Sequence, residues 1–142
     1  MAFTGNITTN AFILGLPSGS YNFATGTSDV YKIALYTNAA TLTATTAVYT
    51  SVGEVTDTGY TATGETLVVS TVPVVTNDVA YWSFTNVSWS GAITARGALI
   101  YKVSGGTVCV LDFGSDKTST TTFTVQFPSP NDTSAIIRIS TP

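Results

Sequence analysis

Residues that favour β-strands recur at alternate positions through most of this chain of 142 residues. Val, Ile, Thr, Tyr and Phe occupy these positions, and gaps rich in Gly, Asn, Asp and Pro separate one such segment from the next. A period of two puts alternate side chains on opposite faces of a strand, whereas an amphipathic helix needs a period of about 3.6. The pattern predicts an all-β fold, an antiparallel sandwich or jelly-roll-like domain of about eight strands.

The predicted strands follow one another closely from residue 30 to the C-terminus. They cover residues 30–37, 47–51, 66–75, 79–87, 95–103, 107–113, 121–127 and 134–139. Proline cannot donate a backbone hydrogen bond, so Pro73 restricts its segment to a sheet edge, a bulge or two strands in series. Because a chain of this length suits one hydrophobic core, we predict a single β-sandwich domain over residues 30–142.

The first 29 residues depart from the two-residue period. Asn10 can cap a short helix within residues 8–16, which Pro17 would end. Threonine is a poor helix former, so an extended arm is the alternative for the same segment. In either form we expect residues 1–29 to pack on the domain.

The most specific local prediction is a β-hairpin around Gly105 and Gly106. Two glycines between strands suit a two-residue turn with positive φ values. On one face this turn would pair Leu99 with Asp112, Tyr101 with Val110 and Val103 with Val108; on the other it would pair Ala98 with Phe113, Ile100 with Leu111 and Lys102 with Cys109. Both faces would be mainly apolar, so other residues would have to shield each face from solvent.

Two kinds of cover are compatible with such a two-sided hairpin. The first is intramolecular, by the N-terminal segment or by a long loop. The second is a neighbouring subunit, which would make one face a contact surface. The candidate interface residues of that face are Leu99, Tyr101, Val103, Val108 and Val110.

Two polar stretches, at residues 37–46 and 53–64, are predicted to be long loops that flank one strand. Long connections in a compact β domain often bind a partner or embrace a neighbouring subunit. They also occur as ordered surface loops without a partner, and both possibilities stay open here.

Charge is sparse along the chain and slightly negative. The net charge is -3, charged residues make up 9% of the chain, and the mean hydropathy is +0.31. The basic residues stand singly, which disfavours direct nucleic-acid binding because phosphate neutralisation needs clustered Lys and Arg. No apolar stretch approaches the length of a membrane span, so we expect no membrane partner. A surface with so few charges favours association, and we predict a homo-oligomer.

The side chains that usually carry catalysis are scarce. The chain has no histidine and one cysteine, which excludes a Ser-His-Asp triad and a Cys/His zinc cluster. Cys109 lies in an apolar run and is predicted to be a small buried hydrophobe. We therefore predict no enzymatic activity, no cofactor, and no catalytic or metal-binding residue.

Two groups of acidic residues offer weaker alternatives. Glu54, Asp57 and Glu65 could supply the carboxyl pair of a glycoside hydrolase, although acids in loops are usually only solvated. Asp112 and Asp116 could supply oxygen ligands to Ca²⁺, although their spacing is not that of an EF-hand and an acidic turn explains it as well.

Aromatic residues concentrate around the predicted strand at 79–87. Trp82 and Trp89 lie close in sequence to Tyr81 and Phe84. An exposed row of such side chains could stack on sugar rings, but cores and interfaces also use aromatics. A carbohydrate-binding module therefore remains an alternative.

Five blocks of this sequence, taken in series, resemble a family of small β-rich structural proteins of tailed bacteriophage virions. The blocks are YKIALYT at 31–37, EVTDTGYTATG at 54–64, ITARGALIY at 93–101, VLDFGSDK at 110–117 and AIIRI at 135–139. The resemblance implies a virion component that is present in many copies, has no enzymatic activity and is assembled in the host cytoplasm.

Within a virion, we expect a capsid decoration (cement) protein whose partner is the major capsid protein. Such a protein lies across seams between capsid subunits, where repetition over the shell compensates for modest individual contacts. A weakly charged surface with 28 threonines suits a seam, because threonine can hydrogen-bond without the desolvation cost of a charge. The alternatives are a tail-associated structural or host-attachment protein and a carbohydrate-binding β-sandwich module.

Overall fold

The computed structural model describes residues 3–140 and residue 142. Within these residues the chain forms ten strands and one short helix. In chain order they are β1 (Ile7–Thr8), α1 (Asn10–Gly15), β2 (Tyr31–Tyr36), β3 (Glu65–Thr66), β4 (Val69–Thr76), β5 (Val79–Phe84), β6 (Val87–Ser90), β7 (Thr94–Lys102), β8 (Thr107–Thr118), β9 (Thr122–Val125) and β10 (Ile137–Ser140). The predicted all-β class is confirmed.

The strands form three antiparallel sheets. A five-stranded sheet has the order β1-β8-β7-β2-β3, a three-stranded sheet the order β10-β5-β4, and a two-stranded sheet pairs β6 with β9. Buried side chains from all three sheets meet in one cluster, the main core, with the five-stranded sheet on one side and the two smaller sheets on the other. The domain is thus a sandwich, as the strand pattern predicts.

Alternation along the central strands divides their side chains between two buried layers. In β2, Ile33 and Leu35 enter the main core, and in β7 Ala98 and Ile100 do the same. The residues between them point to the opposite face and join a second cluster, the outer core, which consists of Phe3, Ala34, Tyr36, Ala40, Leu42, Leu99, Tyr101 and Val110, with Tyr49 against it. The five-stranded sheet is therefore buried on both faces.

Cover of the second face comes from the chain itself. Phe3 belongs to the N-terminal segment, and Ala40, Leu42 and Tyr49 belong to the long connection between β2 and β3. Phe3 lies over Gly97, where an added Cβ would come within 2.3 Å of the Phe3 ring. Of the two kinds of cover that the sequence allows, the structure shows the intramolecular one.

The hairpin register differs from the predicted one. β7 ends at Lys102 and β8 begins at Thr107, so the loop has four residues; Lys102 O accepts from Gly105 N (3.0 Å) and Gly106 O accepts from Lys102 N (2.9 Å). The positive φ of 58° falls on Ser104, and neither glycine is among the described residues with a positive φ. Leu99 consequently pairs with Val110 and Ile100 with Cys109, in place of Asp112 and Leu111.

A bulge next to this loop changes the face of one strand residue. The register shifts between Ile100 and Tyr101, which pairs with Thr107. Because one strand then contributes an extra residue, side chains beyond the bulge no longer follow the simple alternation. Val108 accordingly lies in the main core, although the sequence pattern placed it on the same face as Tyr101 and Val110.

Several predicted element boundaries also change. The described residues 47–51 form no strand, and the nearest pairing is an isolated bridge between Tyr36 and Glu54. The predicted strand at 79–87 is interrupted at 85–86 and forms β5 and β6, while β8 runs on to Thr118.

The structure decides two predictions that the sequence left open, the form of the N-terminal segment and the position of Pro73. The N-terminal segment does contain a helix, but Thr9 caps it in place of Asn10, since Thr9 Oγ1 accepts from Phe12 N at 3.3 Å. β4, which contains Pro73, is an edge strand with register shifts between Val69 and Thr71 and between Thr71 and Val74. Pro73 therefore marks both an edge and a bulge, as predicted.

Candidate interaction surface

The interface residues chosen from the sequence lie mostly inside the folded chain. Leu99, Tyr101 and Val110 are in the outer core, and Val108 is in the main core. Val103, in the β7–β8 loop, is the exposed member of this set. The four buried side chains stabilise the fold and are not on the surface of this chain.

Exposed apolar side chains occur elsewhere, and several surround one groove. This groove, which we call the edge slot, has a volume of about 930 Å³ and lies between β10 on one side and β1 with α1 on the other. Its apolar lining comprises Ile7, Phe12, Ile13, Leu16, Ile137 and Ile139, among others. Ile7 is 37% exposed, Ile13 61% and Ile139 44%.

The edge slot runs between two free sheet edges. β1 is the end strand of the five-stranded sheet, and β10 is the end strand of the three-stranded sheet. The residues of β10 pair with residues 79–82 of β5 on one side. On the other side, no backbone hydrogen bond to β10 is formed by any described residue.

Ile139 is exposed because the main core ends before it along β10. Ile137 is buried in the main core, and Ile139 is on the same face of β10 two residues further along. Ile139 pairs with Ala80, and Ala80 pairs with Val75 of β4, which is 66% exposed. Val75, Ala80 and Ile139 therefore form an apolar row across three strands that extends past the core.

Both signs of charge lie near the end of the edge slot. Arg138 and Asp132 line it. Arg138 donates to the Thr133 carbonyl oxygen, and Asp132 accepts from Asn77 Nδ2 at 2.7 Å. The two ion pairs within the described chain, Arg96 with Asp112 and Lys102 with Asp29, do not involve these groups.

Glu54, one of the possible catalytic carboxylates, has a structural role. Glu54 is buried; its Oε1 accepts from Tyr60 OH and from Thr63 N, both at 2.7 Å, and its Oε2 accepts from Tyr49 OH at 2.5 Å. Burial raises the pKa of the Tyr60 hydroxyl, and its hydrogen bond to Glu54 raises it further. The carboxylate thereby fixes the loop at residues 49–63 to the sheet.

The other acidic candidates have separate surroundings. Asp57 accepts from Thr94 N at 2.8 Å, and Glu65 is exposed on β3. Asp112 binds Arg96 and accepts from Gly5 N and Gly114 N at 2.8 Å each, so the Arg96 guanidinium and these amides hold the pKa of its carboxyl below the usual range. No group of three or more metal-ligating side chains occurs within residues 3–140.

The aromatic and thiol candidates belong to the main core. Trp82 and Trp89 are both buried there, so they do not form an exposed row for sugar stacking. Cys109 is buried as predicted, and burial raises the pKa of its thiol to about 12. The loops at residues 37–46 and 53–64 are bound to their own chain, for example by Val55 N donating to Leu35 O at 2.9 Å.

Sequence reasoning missed the residues of the edge slot for identifiable reasons. Ile139 lies two residues after Ile137 on the same strand face, so its sequence pattern is that of a core residue. The sequence of the strand does not show where the opposing sheet ends, and this end is what leaves Ile139 exposed. A stronger signal was present in α1: Phe12 and Leu16 are four residues apart on one helix face, which leaves Ile13 on another face.

Within the described part of the chain, no helix is long and apolar enough to cross a membrane. Comparisons with protein-family models, with curated proteins and with solved structures found no match to this chain.

Proposed function

We propose that this chain is a non-enzymatic structural component of a tailed-phage virion, and that it decorates the capsid by binding across seams between major capsid protein subunits. The observation that carries the proposal is the edge slot, an apolar groove between two free sheet edges in a chain with only 9% charged residues. The sequence blocks that resemble virion proteins supply the biological context.

The distribution of exposed apolar side chains supports a role in assembly. Ile7, Ile13 and Ile139 surround the edge slot, and Val75 extends the apolar surface onto β4. Large contiguous apolar patches are uncommon on monomeric soluble proteins and usually mark interaction sites. An apolar surface of this kind suits a subunit that stays in contact with neighbouring subunits.

The buried layers supply the rigidity that a repeated building block needs. The five-stranded sheet is covered on both faces, and Glu54 fixes the covering loop through its hydrogen bonds to Tyr49, Tyr60 and Thr63. Of the five acidic residues considered for catalysis or metal binding, Glu54 and Asp112 are occupied by contacts within the chain. A role in binding suits this surface better than a role in chemistry.

The proposal is tested by the copy number of the protein in purified virions. Quantitative mass spectrometry of intact particles would give its ratio to the major capsid protein. A decoration protein should approach the copy number of the major capsid protein, whereas a tail-associated or host-attachment protein should be present at a small fraction of it. Absence from purified virions would refute both virion roles.

A binding assay locates the contact surface. Particles that lack the protein are mixed with the purified wild-type chain, with Ile13→Lys, or with Val52→Lys as a matched control. Val52 is 71% exposed and does not line the edge slot, so Val52→Lys adds the same charge outside the slot. We expect Ile13→Lys to reduce binding to particles and Val52→Lys to bind like the wild type.

A further inference from the structure

We propose that a second copy of this chain pairs with the free edge of β10, so that two copies related by a two-fold axis share one continuous sheet. The sheet would then have six strands in the order β4-β5-β10-β10-β5-β4. This inference concerns a contact between copies in the edge slot and does not rest on the virion role proposed above. In the dimer the second copy fills the edge slot, so capsid subunits would contact the dimer, and Ile13→Lys would reduce binding to particles by weakening the dimer.

The two edges of the three-stranded sheet differ in their ability to accept a strand. β4 contains Pro73, which lacks a backbone donor, and its register is shifted at two places. Proline and bulges are devices by which natural sheets prevent edge-to-edge pairing. β10 has neither feature and pairs with β5 without a register shift, so it is the edge left open to a partner.

The charges beside the edge slot favour a second copy as that partner. A two-fold axis brings the same patch of both chains face to face, so the patch must be complementary to itself. Arg138 contributes a positive charge and Asp132 a negative charge, and both residues line the edge slot. A patch of a single sign would repel its own copy, whereas this mixed patch can place opposite charges across the axis.

The faces of the strand restrict the register of the pairing. Residues opposite each other in an antiparallel pair point to the same face of the sheet. Because Ile137 and Ile139 share the core-facing side, Ile139 can lie opposite either Ile137 or Ile139 of the second copy. The first register would place Arg138 opposite its own copy, where like charges destabilise the pair.

The remaining register puts Ile139 on the two-fold axis. Ile139 then faces Ile139 of the second copy, and Arg138 faces Ser140. The Ile139 side chain of the second copy would lie toward Ile7 and Ile13, which line the opposite wall of the edge slot. Three exposed apolar side chains of each chain would thus be covered in one contact.

The association state tests the proposal directly. Sedimentation equilibrium over a wide concentration range is compared for the wild type, for Ile139→Lys and for Val52→Lys, with circular dichroism as a check on folding. Ile139 is 44% exposed and should tolerate lysine in a folded monomer. We expect dimers for the wild type and for Val52→Lys, and a shift toward monomer of at least about tenfold in dissociation constant, or roughly 1.4 kcal/mol, for Ile139→Lys.

A disulfide test addresses the register. Directly opposite residues in antiparallel strands have Cα atoms about 4.5–5.5 Å apart, within the range that a disulfide spans. Cys109 is buried, so Ile139→Cys would add an accessible thiol to a chain whose own thiol is inaccessible. Under mild oxidation Ile139→Cys should form a covalent dimer in high yield, while Val52→Cys at the same concentration should not.

Three results would overturn the inference. The first is a wild-type chain that is monomeric throughout the concentration range. The second is a dimer that persists unchanged in Ile139→Lys. The third is a monomeric chain whose binding to particles is lost in Ile139→Lys, because the edge slot would then accept a different protein; this result would leave the proposed virion role intact.

Discussion

At the scale of single residues, the most connected polar side chain is Glu54. It is buried and accepts three hydrogen bonds, from two tyrosine hydroxyls and one backbone amide. A buried carboxylate is costly unless its oxygens are satisfied, and here Tyr49, Tyr60 and Thr63 of the covering loop supply the donors. Glu54 therefore joins segments that have little regular secondary structure of their own.

Replacement of Glu54 by alanine should destabilise the protein by about 2–4 kcal/mol. Glu54→Ala leaves Tyr49 OH, Tyr60 OH and Thr63 N without their common acceptor in a largely buried environment. Urea unfolding followed by circular dichroism measures the change. Glu65→Ala, on an exposed β3 side chain, is the control and should stay within about 0.5 kcal/mol of the wild type.

Tyr101 provides a second test at this scale. It is buried in the outer core, contacts Tyr49 at a ring distance of 5.0 Å and donates from its hydroxyl to Thr63 O at 2.6 Å. Tyr101→Ala should cost about 3–5 kcal/mol, as other large-to-small aromatic core changes do. Tyr101→Phe keeps the ring and should cost about 1 kcal/mol. A Tyr101→Ala protein of wild-type stability would show that the outer core contributes little to folding.

At the scale of elements, the sequence predicts strands better than their registers. Strand-forming residues fill positions 31–36 and 98–101, between segments rich in turn-forming residues, and this pattern predicts β2 and β7. The bulge between Ile100 and Tyr101 cannot be predicted from this pattern, because it depends on the conformation of the β7–β8 loop, in which Ser104 has a positive φ. The edge slot was missed for a related reason: it arises where two sheets end, which is a property of packing.

The conformation of Ser104 predicts a stabilising substitution in the β7–β8 loop. Its φ of 58° is in the left-handed region, where a residue with a Cβ atom pays about 1 kcal/mol relative to glycine. Ser104→Gly should therefore raise the free energy of unfolding by about 0.5–1 kcal/mol, measured by thermal or urea unfolding. Ser90→Gly, on an exposed position of β6, should lower stability by a similar amount because glycine weakens a strand.

At the scale of the whole molecule, burial of tyrosines links stability to alkaline pH. Burial raises the pKa of Tyr31, Tyr36 and Tyr60, and the Glu54 carboxylate adds to the increase at Tyr36 and Tyr60. In the unfolded chain these hydroxyls ionise near pH ~10, whereas in the folded chain they stay protonated to higher pH. Unfolding therefore releases protons above that pH, and stability falls as the pH rises.

Urea unfolding at a series of pH values tests this link. Between neutral pH and pH ~10 the tyrosines should leave the free energy of unfolding unchanged, and above that pH it should fall progressively. Tyr60→Phe removes one of the buried hydroxyls and should make the alkaline decrease less steep, although the lost hydrogen bond to Glu54 lowers stability at neutral pH. An equally steep decrease in Tyr60→Phe would contradict the assignment of Tyr60.

The division of the domain into two buried layers has an optical consequence. Both tryptophans, Trp82 and Trp89, lie in the main core, whereas the aromatic residues of the outer core are Phe3, Tyr36, Tyr49 and Tyr101. Indole fluorescence therefore monitors the interior of the sandwich, and near-ultraviolet tyrosine signals also monitor the layer outside the five-stranded sheet. If the part of the covering loop that carries Ala40, Leu42 and Tyr49 detaches before the sandwich melts, the tyrosine signal changes first while the emission of the two indoles stays constant. The chain then carries its own pair of probes for the order in which its layers come apart.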